Sequence, residues 1–270
     1  MGFFDVHAHL THPDLRQDID GVLARAREAG LTRVISNGLN YADNKAVAQL
    51  AAEHSMVRPA YGLYPVDAVL TQMLAAGLSY PREAEAESPE DVASWIRDKG
   101  HDAIAIGEIG LDGHWVPQEF WDRQEAILKI FLELSKDLEV PVILHSRKRE
   151  RRTFELLQER SIERANFHCF SSRVKLGLQI TGAGYYLSIP ANARRAENFA
   201  ALLRKAPREQ LLLETDCPYL SPDREALPVN EPASVRKTAE FAAELWDEPL
   251  QFVMEQFADN YRALFGEDVA

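Results

Sequence analysis

Eight short runs of β-branched and aromatic residues alternate with longer amphipathic stretches along this chain, and that alternation limits its possible folds more than any other feature. The runs are FFDVH, LTRVIS, MVRPAYG, AIAIGEIG, VPVILH, RANFHCF, AGYYLSI and EQLLLETD. Between the first two lies DLRQDIDGVLARAREAG, with Leu15, Ile19, Val22, Leu23 and Ala26 at helical spacing and Gly30 as a stop. Strand and helix in strict alternation imply parallel strands joined by crossover helices. Eight such units in about 250 residues predict an α/β fold of the TIM-type (β/α)8 barrel kind. The tail from Pro232 reads as two or three extra helices, with Asp247 and Pro249 marking a new start. An open doubly wound sheet is the competing architecture. It has little support, because no GxGxxG follows the first run and the GAG at Gly182–Gly184 lacks the third glycine. No linker or repeat interrupts the pattern, so residues 1–270 are expected to form a single domain. SYPREAEAESPED reads as an exposed acidic loop.

Composition narrows the class. Hydrophobic residues make up 46% of the 270 and charged ones 27%, enough apolar material for a sizeable core. No apolar stretch reaches membrane-spanning length. MGFFDVHAHL lacks the basic-then-apolar order of a secretory signal, and Val6 stands where a myristoylation pattern needs Ser or Thr. Two cysteines, Cys169 and Cys217, are too few for a disulfide framework. A cytoplasmic protein is expected. The net charge of −12 opposes broad attraction to nucleic acid, so a polyanionic substrate needs a local positive site made by metal ions or clustered Arg and Lys.

In a barrel, chemistry collects at the C-terminal ends of the strands. His7 and His9 end the first run and share a face, with Asp5 below them. Alone, such a pair is either a polar strand end or half of a metal site. Other strand ends supply Glu108, His145, His168 and Asp216. Four of the eight histidines and two carboxylates therefore fall at the ends of five strands. Neutral imidazoles suit Zn²⁺, Mn²⁺, Ni²⁺ or Fe²⁺, and carboxylates add charge neutralisation and bridging capacity. Six ligands exceed the three usual for one catalytic zinc, so one ion is possible and two sharing Glu108 use the set better. Asp216 is then placed to ligate and to accept the proton of an attacking water.

Taken in order, DVHAHL, AIGEIGLD, PVILHSR, NFHCFS and LLLETDCPYL resemble the TatD family of metal-dependent hydrolases within the amidohydrolase superfamily. The likeness runs from about residue 4 to DNYRALFG. It implies a barrel with a one- or two-metal centre: His7, His9 and Asp216 on one ion, Glu108 bridging, His145 and His168 on the other. It also implies a deoxyribonuclease or 3′–5′ exonuclease, usually with Mg²⁺ or Mn²⁺, and with nucleic acid as substrate. The alternative is an esterase or amidase, such as a D-aminoacyl-tRNA deacylase. No membrane or obligate protein partner is expected. Three positions depart from the family pattern. Tyr64 stands where a phosphate-contacting histidine is usual, Lys148 where aspartate is common, and Val229 where arginine is common. The cluster Arg147, Lys148, Arg149, Arg151 and Arg152 is either a solvated helix start or a substrate-side patch, and Arg147 and Tyr64 are the expected substrate contacts. Trp115 can stack a base at the mouth, whereas Trp121 is expected to pack under its helix. Cys169 and Cys217, next to ligands, should turn away from the site as buried thiols.

Overall fold

All eight runs form parallel strands: β1 (Phe3–Ala8), β2 (Leu31–Asn37), β3 (Val57–Tyr61), β4 (Ala105–Asp112), β5 (Val142–Arg147), β6 (Ala165–Phe167), β7 (Tyr186–Ile189) and β8 (Leu211–Leu213). They pair in chain order, every neighbour parallel. This is a computed structural model, which describes residues 2–80 and 88–267. The centre of the expected acidic loop, residues 81–87, lies outside the described residues.

Helices α1 (Pro13–Arg16) and α2 (Ile19–Glu28) replace the single helix expected after β1, because Asp18 leaves helical geometry at φ −135°, ψ 42°. The outer layer continues with α3 (Tyr41–Glu53), α4 (Leu70–Ala75), α5 (Pro89–Lys99), α6 (Trp121–Asp137), α7 (Glu150–Glu159), α8 (Val174–Gly182) and α9 (Glu197–Lys205). The tail forms α10 (Val235–Trp246) and α11 (Leu250–Phe265), and Asp247 ends α10 in the left-handed conformation, φ 53°. Phe4, Phe131, Phe167, Phe257 and Tyr261 are fully buried between barrel and helices. Glu267, just past α11, ties the tail to the barrel through Arg33, Arg58 and the Tyr261 hydroxyl. Burial pushes its carboxyl up, but the two guanidiniums outweigh that and hold it below its ordinary value. Among the described residues no helix is long and apolar enough to cross a membrane.

The meeting of β8 with β1 differs from the other seams. Asp216 N–H donates to the His7 carbonyl at 2.9 Å, and His9 N–H to the Cys217 carbonyl at 2.8 Å. One turn below, the buried Asp5 side chain accepts from His7 N–H at 3.1 Å and Thr215 N–H at 3.0 Å, and it also bonds the Thr215 hydroxyl. A side chain here supplies acceptors that a strand would supply elsewhere. The seam consequently carries His7, His9 and Asp216 on one short stretch of backbone. Burial drives the Asp5 carboxyl up to about 8, against the opposing hydrogen bonds from Thr215 and His7.

Candidate metal centre

Glu108 is the hub of the barrel's C-terminal mouth, although it lies within β4, which runs on to Asp112, and not at the strand's end as the sequence suggested. Its Oε1 lies 3.0 Å from His145 Nδ1 and 3.1 Å from His168 Nε2, while Oε2 lies 3.6 Å from Nε2 of both His7 and His9. Asp216 Oδ1 completes the second side, 3.3 Å from His9 Nε2 and 3.7 Å from His7 Nε2. All six expected residues therefore meet at one place. Close backbone packing puts them there. A Cβ at Gly62 would come within 2.6 Å of the Glu108 backbone, and Gly110, at φ +149°, lets the His145 carbonyl approach where a Cβ would sit 1.8 Å away.

Asp216 is not presented by a strand. β8 ends at Leu213, and Asp216 adopts φ 54° in the turn beyond it. A non-glycine residue there is sterically costly, and such residues concentrate at functional sites. Asn230 of the NEP segment holds this turn, donating to the carbonyls of Thr215 at 3.0 Å and Tyr219 at 2.8 Å. Glu231 anchors the same segment by a two-pronged pair with Arg25.

The donor atoms suit a cation. Nε2 of His7 and His9 face each other 3.3 Å apart, deep in the protein, with carboxylate oxygens beside them. Lone pairs aimed at a common point repel unless a proton or a metal ion lies between them. Two triplets of donors lie within 4.8 Å of one another, His7–His9–Asp216 and His7–Glu108–His168. His145 stands outside both triplets and joins through Glu108. His7 and His168 stack with ring centroids 3.7 Å apart.

The electrostatics follow from burial and crowding. Burial alone would raise Glu108, but His168, His145 and His7 hold it well below the ordinary carboxylate value. Asp216 is also lowered, since His9 and the other rings outweigh its desolvation. Burial and the neighbouring His168 push His7 down to about 4, whereas Glu108 carries His168 well above its ordinary value against the cost of burial. The cluster thus keeps its carboxylates ionised and one ring neutral.

A cavity of about 490 Å³ opens above this floor, lined by Tyr64, Tyr80, Arg147, Asn192 and Tyr219 among others. Tyr64 packs edge-on against His145, centroids 5.0 Å apart, and Tyr80 packs likewise on Trp115 at 5.6 Å. Burial, then Glu108, pushes the Tyr64 phenol well above its usual value, so it stays a neutral donor. Of the basic cluster only Arg147 lines the cavity. Arg149 and Arg152 instead converge on Glu125, and Arg151 bonds Gln179. Val229, where arginine is common, packs on the core. His114 is exposed and contributes only its backbone N–H to Asp112. Trp121 packs under Arg149, its centroid 4.1 Å from the guanidinium carbon.

Two expectations need correction. Cys217 is buried as expected, but Cys169 lines the cavity, because β6 ends at Phe167 and a φ of 44° at Cys169 breaks the strand alternation. The second concerns acidic residues. Sequence reasoning passed over Asp112 and Glu214, both fully buried and both facing a histidine of the centre. The spacing Glu108-x-Gly110-x-Asp112 was the available signal for the first, since period two puts both acids on one face.

Comparison with known proteins agrees with this geometry. A family model described as TatD related DNase matches residues 4–266. The 3′-5′ ssDNA/RNA exonuclease TatD of Klebsiella pneumoniae is 31% identical over 98% of this chain and 98% of its own. An uncharacterized metal-dependent hydrolase of Bacillus subtilis, YabD, is 27% identical over 97% of this chain and 98% of its own. The crystal structure of the TatD homolog YJJV from Escherichia coli superposes with a TM-score of 0.84 at 26% identity, covering 98% of each chain.

Proposed function

The chain belongs to the TatD related DNase family, and on that premise we propose that it acts as a one-domain, divalent-metal-dependent nuclease removing nucleotides from single-stranded 3′ ends. The observation that carries the reading is the convergence of four imidazoles and two carboxylates, carried by β1, β4, β5 and the residues just after β1, β6 and β8, on the floor of one cavity.

His7, His9 and Asp216 would hold one ion, His145 and His168 a second, and Glu108 would touch both. Ions bound there supply Lewis acidity toward a phosphate oxygen and lower the proton affinity of water. The chain's own groups do the rest. Asp216, ionised and at the cavity wall, takes the proton of the attacking water. Arg147 offers a guanidinium fork to a non-bridging phosphate oxygen. Tyr64, a neutral phenol, donates a hydrogen bond where the family commonly has a histidine. Tyr80, Trp115 and Tyr219 give the mouth an aromatic surface on which a terminal base can stack. With a net charge of −12, attraction for the phosphates is confined to the cavity, which suits a strand end better than a duplex surface. Two free cysteines and the absence of a disulfide among the described residues fit a reducing, cytoplasmic setting.

The direct test compares a 3′-labelled single strand, its duplex, a 5′-labelled strand and a panel of carboxylic esters, each with Mg²⁺, Mn²⁺ or Zn²⁺. Release of mononucleotides from the 3′ end of the single strand is expected. Turnover of esters alone would shift the reading to an esterase, the outcome that the neutral Tyr64 makes the second choice.

A further inference from the structure

We propose that Asp112 is a positioning residue that fixes the tautomer and direction of His145, so that Nδ1 presents a lone pair to the metal site. The proposal rests on the metal-dependent reading above. It starts from strand geometry. Glu108, Gly110 and Asp112 share one face of β4, and His145 on β5 is in register with Gly110. The imidazole therefore lies across the glycine, between the two acids. Its Nδ1 is 3.0 Å from Glu108 Oε1 and its Nε2 is 2.9 Å from Asp112 Oδ2. One ring thus spans two buried carboxylates, one at the metal site and one behind it.

The Asp112 side chain is itself held. Its Oδ1 accepts the backbone N–H groups of His114 and Trp115, both at 2.7 Å. Its own N–H donates to Gln124 Oε1 at 3.0 Å, and Gln124 donates onward to the Pro65 carbonyl at 2.9 Å. With Oδ1 committed to two backbone donors, only Oδ2 faces His145. An ionised oxygen accepts and cannot donate, which places a proton on Nε2; Nδ1, facing Glu108 Oε1, is then the nitrogen left to offer its lone pair to an ion held with Glu108. Ligating histidines are commonly oriented by such a carboxylate on the far nitrogen.

This arrangement predicts an inverted order of damage. In Asp112→Asn the amide oxygen must stay at the two backbone N–H groups, which turns the amide NH₂ toward His145. Nε2 then becomes an acceptor, the proton moves to Nδ1, and Nδ1–H points into the metal site. In Asp112→Ala the ring has no director and still can present a bare Nδ1. The isosteric variant should therefore bind metal more weakly than the truncation. A residue that served packing alone would show the opposite order.

The experiment titrates Zn²⁺ against a competing chelator in the wild type, Asp112→Asn and Asp112→Ala, and reads the His145 ring nitrogens by long-range ¹H–¹⁵N NMR. Asp112→Asn is expected to lose about 10–100-fold in affinity, to lose more than Asp112→Ala, and to show a proton on Nδ1. Equal affinity in all three proteins, or Asp112→Asn milder than Asp112→Ala with an unchanged tautomer, would overturn the assignment. Neither readout needs turnover. A wild type that binds Zn²⁺ with these signatures but cleaves no oligonucleotide therefore supports the positioning role while removing the nuclease reading. A wild type that takes up no Zn²⁺ removes both.

Discussion

The two sides of the candidate metal centre are built by different means. On the β4–β6 side a buried acid stands behind each ring: Asp112 is hydrogen-bonded to His145 Nε2 at 2.9 Å, whereas Glu214 lies 3.8 Å from His168 Nδ1, beyond hydrogen-bond reach. On the seam side, Nδ1 of His7 and of His9, like that of His168, meets no hydrogen-bond partner among the described residues. Those rings are placed instead by backbone, through the bonds that join β1 to the turn after β8 and through Asp5 beneath them. A side chain directs His145, and main chain directs His7 and His9. Perturbing a carboxylate should therefore change how the first side binds, whereas perturbing the seam should change whether the second side is assembled at all.

The largest effect should come from Asp216, which belongs to the seam by its backbone and to the reaction by its carboxylate. Asp216→Ala is expected to lower kcat by about 10²–10⁴-fold, the range for loss of a general base, with the far-ultraviolet circular dichroism retained. A drop in KM alone, with kcat intact, would remove the proposed base. Next is the seam itself. Thr215→Val leaves Asp5 buried without its hydroxyl partner and should cost about 1–3 kcal/mol in urea unfolding. The same variant should weaken metal uptake on the His7–His9 side while His145 keeps its NMR signature. Loss of both signatures together would dissolve the distinction between the two sides.

The pH dependence of the seam sharpens the same point. Asp5 is raised from 3.8 to about 8 in the folded chain, so the native state keeps a proton that the unfolded chain has released. The stability this contributes is full below the unfolded value and is lost progressively as pH rises toward the folded one. Metal-free wild type should therefore lose stability between about pH 4 and about pH 8. Asp5→Asn, whose amide donates to Thr215 Oγ1, should not share that slope. Parallel pH profiles in urea denaturation would contradict the seam account. The smallest effect belongs to the cavity rim, outside the ligand set itself. Arg147→Ala should raise KM about 10-fold, near 1.4 kcal/mol, with kcat little changed and metal content unaltered.

Much of this was legible in the sequence because strand ends are. A run such as VPVILH points toward the mouth of the barrel, although β5 continues past His145 to Arg147, and the barrel topology converts six separate chain positions into one floor. His7, His9, Glu108, His145, His168 and Asp216 were found by that logic, and they do meet. What escaped was everything that depends on how strands end rather than where. β8 stops at Leu213, so Asp216 reaches the site from a left-handed turn instead of by alternation, and Cys169 enters the cavity for the same reason. Asp112 and Glu214 looked like ordinary polar residues beside a strand, since one sequence does not show which ring an acid will back. The basic run after β5 misled in the other direction. Two of its charges, Arg149 and Arg152, are spent on Glu125, a residue more than 20 positions earlier that periodicity assigns only to a helix face.

The central claim is that cleavage depends on divalent ions held by this set, with Glu108 common to both sides. The most direct measurement strips the protein with chelator, restores Mn²⁺, Mg²⁺ or Zn²⁺ in turn, and follows a 3′-labelled single-stranded oligonucleotide alongside metal content, for the wild type and Glu108→Ala. The account predicts that the wild type recovers both bound metal and 3′ cleavage, and that folded Glu108→Ala recovers neither. Cleavage by the stripped wild type, or full cleavage by metal-replenished Glu108→Ala, would contradict it.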